Sequence, residues 1–163
     1  MIYTKSQTAQ MVASGAHIET FQHATLGTFD VSLTRKIIAR FPSRFPVGWA
    51  WFEDMRADGH PELIGPEVMA WIFSQREICP IRRDELTEEQ LNDPAINLID
   101  DQGGSYIIDG IHRIAARFKR GYPNFSLYSM PLKIAPRVPE GFEDFKVQWG
   151  EMEVRDGQLV KRR

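Results

Sequence analysis

The stretch SYIIDGIHRIAARFKRG, residues 105–121, constrains this chain more than any other. An apolar run ends in Asp109-Gly110, and a basic segment follows with apolar residues at Ile111, Ile114, Ala115 and Phe118. Those positions are i, i+3, i+4 and i+7, one face of a helix, and Gly121 falls where a left-handed cap would end it. A strand therefore hands over to a helix through a glycine, with a carboxylate, an imidazole and a guanidinium crowded at the junction. The first N–H groups of a helix have no partner within it, the peptide dipoles add positive charge there, and Gly110 lets a ligand approach the backbone. This is the layout of an anion site, with His112 and Arg113 as added donors. Asp109 has a plainer reading as the helix N-cap. Arg113, Arg117 and Arg120 recur at i, i+4 and i+7 as a basic stripe, and no acidic residue interrupts residues 110–121.

The segments around this junction predict a mixed α+β chain. Residues 5–14 read as a short helix closed by Gly15, and 17–26 as extended, with Ile18 and Phe21 on opposite faces. Val31, Ile37, Ile38 and Phe41 have helical spacing before two prolines in PSRFP. The aromatic segment 47–55 reads as a strand. In GPEVMAWIFSQ, Pro66 sits at a first helical position, and Val68, Met69, Ile72 and Phe73 form an apolar stripe. Residues 76–86 read as a short strand, and Thr87 with Gln90 as a capping box that opens a helix ending near Pro94. INLIDDQGGSYIID has the pattern of a hairpin, and residues 121–132 read as a further strand. Residues 136–163 form an extension with a hairpin around Asp156-Gly157. At 163 residues, the expectation is one compact domain with packed helices on a mixed sheet.

Composition excludes several classes. With 20 basic and 22 acidic side chains, any nucleic-acid partner needs a local patch. A single cysteine, Cys79, rules out an internal disulfide and a cysteine-built zinc site and agrees with a cytoplasmic location. No apolar stretch approaches the roughly 20 residues of a membrane helix. His17, His23, His60 and His112 show no metal-ligand spacing.

Residues 106–131, YIIDGIHRIAARFKRGYPNFSLYSMP, resemble the core signature of the ParB/sulfiredoxin superfamily: a strand, D-G-x-H-R, an alanine-containing helix, a glycine and a strand. CPIRRDEL stands where that family has its P-I-x-V strand, so the likeness covers about residues 76–131. It implies the family's fold and a pocket for ATP or ADP, with Gly110, Ile111, His112 and Arg113 around the phosphates. Members with this form of the motif look like phosphoryl-transfer proteins. The resemblance then makes Asp109 the partner of Mg²⁺ or the proton acceptor, and His112 a catalytic group. Ile111 stands where sulfiredoxin has its reactive cysteine, which argues against sulfinic-acid repair, and no helix-turn-helix follows to read a DNA site.

Phosphoryl transfer needs positioning and charge stabilisation, commonly with Mg²⁺ on carboxylates. Glu53 is the first choice for a second catalytic acid, with Asp54, Asp100 and Asp101 as further candidates. Arg117, Lys119 and Arg120 could contact a nucleic-acid backbone or simply form a solvated face. His60 could approach the pocket or sit in a turn. Trp49, Trp51, Trp71 and Trp149 could stack on bases or pack, and Trp71 is assigned to packing. The leading expectation is a nucleotide-binding enzyme, an ATPase or nuclease of the kind found in plasmid or phage accessory proteins. The alternatives are a non-catalytic module that engages DNA or a protein partner, and a small-molecule kinase acting on a free amino acid.

Overall fold

A computed structural model describes residues 19–57 and 59–138, and the backbone of 152–155 and 158–161. The readings at residues 5–14, His17, Ile18 and Trp149 lie outside those residues. Contacts gather into two units, residues 1–40 with 134–163, and residues 41–133.

In the first unit, β1 (Thr20–His23) pairs antiparallel with β2 (Gly27–Asp30), and α1 (Val31–Arg40) follows without a break. Residues 17–26 were expected to be extended, and they hold one strand of a hairpin whose second strand the pattern did not announce. Asp30 starts α1 as its cap, accepting the N–H of Leu33 on Oδ1 at 2.8 Å. Val31, Leu33 and Ile38 are buried, whereas Phe41 lies past the end of α1 and is 42 % exposed. At the C-terminal end, β9 (Met152–Arg155) pairs antiparallel with β10 (Gln158–Lys161), the hairpin expected on either side of Asp156-Gly157.

The second unit is built on a four-stranded sheet with the order β3-β8-β6-β7. The strands are β3 (Gly48–Trp51), β6 (Ala95–Ile99), β7 (Ser105–Asp109) and β8 (Asn124–Pro131). β3 and β7 are antiparallel to their neighbours, and β6 and β8 are parallel, so the sheet is mixed. Between β3 and the helices, β4 (Arg56–Ala57) and β5 (His60–Ile64) form a small hairpin that the pattern missed. α2 (Pro66–Ser74) has its proline in the first turn, and α5 (Ile111–Lys119) starts at Gly110, as expected. Gly121, at φ +83°, takes the left-handed conformation predicted for it.

Residues 76–86 are not a strand. Pro80 opens a short helix, α3 (Pro80–Asp84), with Cys79 as its cap residue. Proline fixes a helical φ and its missing N–H costs nothing in a first turn, which outweighs the β-favouring isoleucines around it. The next helix, α4 (Glu88–Leu91), carries the complete capping box between Thr87 and Gln90.

The core of this unit joins Phe52, Met69, Ala95, Ile114 and Phe125, with Ile72, Phe73, Ile107 and Phe118 packed against it. Phe52 meets Phe118 edge-on at 5.2 Å and Phe125 at 5.5 Å. Each such side chain contributes about 1.5–3 kcal/mol by burial, several times an exposed ion pair. Apolar packing therefore sets where α5 lies, and its polar groups take what that position offers.

Candidate functional site

The junction at Asp109-Gly110 is built as the sequence suggests, but most of its side chains are turned inward. Ile96 faces Asp109 while Asn97 faces Ile107, so Ile108 is the extra residue of a bulge just before the motif. Gly110 has φ +94°, and a Cβ there would stand 2.9 Å from both the Ala95 Cβ and the Arg113 Nη2. Its bareness thus admits the chain's own residues.

Arg113 donates from Nη2 to the Pro94 carbonyl at 3.1 Å and to Asp109 Oδ2 at 3.2 Å. Its Nε is buried and has no partner. Asp109 is mostly buried in this ion pair. His112 accepts the backbone N–H of Cys79 on Nε2 at 3.1 Å, so the proton of the neutral ring lies on Nδ1. Burial and the charges of Arg82 and Arg76 hold its pKa below the ordinary histidine value. The Cys79 N–H thus occupies Nε2, and Nδ1 carries the ring's own donor.

The basic stripe is also engaged within the chain. Arg117 is 5 % exposed, donating to the Asn124 carbonyl at 2.7 Å and the Leu91 carbonyl at 3.4 Å, with the Tyr122 ring at 4.3 Å. Lys119 pairs with Asp84 at 3.0 Å. Arg120 pairs with Glu88 at 3.1 Å and donates to the Leu86 carbonyl at 2.7 Å. Tyr122 adds a short hydrogen bond to Glu88. Arg113, Arg117 and Arg120 each donate to a main-chain carbonyl of residues 86–94. They bind one wall of this protein, the segment of residues 79–94.

The proposed acids do not converge. Glu53 follows β3 and Asp109 ends β7, on opposite edges of the sheet. Three strand spacings of about 4.8 Å separate those edges, so the sheet does not set Glu53 beside Asp109. Asp100 organises the far end of the β6–β7 hairpin, accepting the N–H groups of Gln102 and Gly104 and the hydroxyl of Tyr106. Among the described residues no group of three or more His, Cys, Asp or Glu could hold a metal ion. With a guanidinium on its carboxylate, Asp109 does not fit the metal role expected of it. His60 hydrogen-bonds Glu62 and lies against Trp71, which fits the packing role assigned to that tryptophan. Trp49 and Trp51 are 57 % and 45 % exposed on an edge strand.

What the arrangement leaves open is a cleft of about 550 Å³ between the wall and the start of α5. Cys79, Ile81, Arg82, Glu85, Leu86, Gln90 and Asp93 line it from the wall, and Arg113 lines it from α5. Sequence reasoning found Arg113 and missed the others. Their signals were faint: an arginine doublet behind Pro80 and an aspartate before Pro94. The cleft sets two guanidiniums beside two carboxylates, an amide and the chain's single thiol. Compared with protein families, curated proteins and solved structures, the chain matches none.

Proposed function

We propose that this cleft binds a nucleotide, ATP or ADP, and that the protein is a phosphoryl-transfer or phosphodiester-hydrolysing enzyme of the ATPase or nuclease type. The observation that carries the reading is Arg113. Its buried Nε lacks a partner at the start of a nine-residue helix, where backbone N–H groups and the helix dipole also favour an anion. The cleft beside it has the volume of a small-molecule site. Phosphates would lie against Arg113 and Arg82, and the resemblance of residues 106–131 to the ParB/sulfiredoxin signature supports the same choice.

In this reading Asp109 orients Arg113. The carboxylates that face the ligand are Glu85 and Asp93, on the cleft wall, where they could accept a proton or meet Mg²⁺ carried in on the phosphates. A second reading, a binding module that engages DNA or a protein partner without turnover, is favoured by one observation. The motif's own acid–base groups, Asp109 and His112, are both engaged within the chain.

Cys79 supplies the test. It is exposed and lines the cleft. Saturating ATP or ADP should slow its alkylation by a maleimide about tenfold, and Arg82→Glu should abolish that protection. Alkylation indifferent to every nucleotide would remove the proposal. With binding in hand, phosphate release, cleavage of DNA, or transfer to an added free amino acid separates ATPase, nuclease and kinase, and no turnover identifies the module.

A further inference from the structure

We propose that His112 is a positioning residue: through the Cys79 N–H its neutral ring holds the wall of the nucleotide cleft in place, and protonation of the ring releases that wall and weakens binding. The inference rests on the nucleotide reading of the cleft.

The wall is fastened to α5 and the turn after it along its length. Lys119, Arg120 and Tyr122 hold Asp84, Leu86 and Glu88 in its middle, and Arg117 and Arg113 hold Leu91 and Pro94 at its C-terminal end. At its N-terminal end, where Cys79 and Arg82 enter the cleft, the side-chain link from α5 is the bond from Cys79 N–H to His112 Nε2. An imidazole accepts a hydrogen bond only while neutral, because both nitrogens of the protonated ring are donors. Protonation would point an N–H at an N–H. The charges acting on the ring, Arg76 and Arg82, are both positive and would add repulsion. The thiol of Cys79 lies on the same wall, and Arg113, on the ring's own helix, has its charge matched by Asp109 at the end of β7.

The sign follows from the depressed histidine pKa. The neutral ring is favoured in the fold, so the contact is complete above the ordinary value of 6.5 and is lost as pH falls through the lower folded value. The contacts of Arg113, Arg117, Lys119, Arg120 and Tyr122 with residues 84–94 stay in place, so the chain remains folded while Cys79 and Arg82 move out of register with Arg113.

The test compares ADP binding by calorimetry at pH 7.5 and pH 5 for the wild type, His112→Gln and His112→Ala, with hydrogen exchange of residues 79–91 without ligand. Glutamine places a carbonyl near Nε2 that accepts but does not titrate. The ligand's own phosphate titration is common to all three proteins and cancels. The wild type should lose about tenfold more affinity on acidification than His112→Gln, the worth of one hydrogen bond and the repulsion that replaces it. His112→Ala should bind weakly at both pH values. Protection of residues 79–91 should fall in acid in the wild type and hold in His112→Gln. An equal acid loss in His112→Gln, or wild-type behaviour in His112→Ala, would overturn the role of His112 alone. Absence of ADP binding at pH 7.5, with exchange still following the ring, would overturn the nucleotide reading and the binding half of this proposal together.

Discussion

The guanidinium of Arg120 donates to the main-chain carbonyl of Leu86 at 2.7 Å, 34 residues earlier in the chain. Arg117 does the same to Leu91 and Arg113 to Pro94, so a stripe spaced for one helix face reads successive carbonyls of one wall. A guanidinium suits this task because it stays charged and presents several donors in a fixed fork.

Arg117 is the most buried of the three, and its loss strands the Asn124 carbonyl and side chain along with Leu91. Arg117→Ala should destabilise the protein by about 2–4 kcal/mol, since buried acceptors left unpaired cost about 1–3 kcal/mol each. Arg117→Lys should recover less than half of that, because an ammonium does not reproduce the fork. Urea unfolding with an unchanged m-value would measure both. A neutral Arg117→Ala would contradict the wall-binding account.

Gly110→Ala adds a Cβ at φ +94° within 2.9 Å of Ala95 and of Arg113. A left-handed alanine and the clash together should cost about 1–3 kcal/mol in thermal or urea unfolding. The displaced Arg113 should also weaken nucleotide binding. Full stability and affinity in this variant would show that the close approach is unimportant.

Much of this second unit was legible beforehand, and the reasons are local. Pro66, the Thr87–Gln90 box, the 96–109 hairpin, and the face of Ile111, Ile114 and Phe118 are each specified by neighbours a few residues away. The wall was not legible, for two reasons. A proline-led five-residue helix looks like a strand when isoleucines flank it. A sequence also gives the sign of Lys119 or Arg120 but not the partner, and Asp84 and Glu88 lie more than 30 positions earlier. The engagements of His112 and Asp109 were hidden on the same ground: the atoms that meet them, Cys79 N–H and the Arg113 guanidinium, become neighbours only in the fold. The separation of Glu53 from Asp109 was hidden because strand order, which sets the distance between sheet edges, is absent from periodicity.

Acid should loosen the wall. Asp84 is held down to about 2, first by its hydrogen bond from Arg83 and then by Lys119. A depressed carboxylate contributes stability above its unfolded value, and that contribution is lost as pH falls from about 4 through about 2. Hydrogen exchange of residues 79–91 should therefore accelerate over that window beyond its intrinsic change. In Asp84→Asn the wall should already be loosened at neutral pH, and the step between pH 4 and 2 should shrink to the part that Glu88, also held low by Tyr122 and Arg120, contributes. A step of the same size in the variant would show that another group is responsible.

Asp30, in the first unit, carries the opposite sign. It is fully buried with Oδ2 unpartnered, and burial raises its pKa against the smaller opposing effects of the Leu33 N–H and Lys36. A raised carboxylate favours the protonated fold, so its contribution is greatest below the unfolded value near 3.9 and declines as pH rises through the folded value. Asp30→Asn keeps an oxygen for Leu33 and removes the titration. Relative to the wild type it should gain stability as pH rises above about 4 and level off once the wild-type carboxyl has ionised, followed by urea midpoints. A constant difference across that range would refute it.

The most direct test of the central claim is calorimetric titration of the purified protein with ATP and with ADP, each with and without Mg²⁺, repeated on Arg82→Glu. Arg82 lines the cleft from an exposed position, so the fold should survive its reversal. Saturable binding in the wild type that is lost in Arg82→Glu is the predicted result. No binding of either nucleotide under any condition, or equal binding by the variant, would contradict the assignment of this cleft as a nucleotide site.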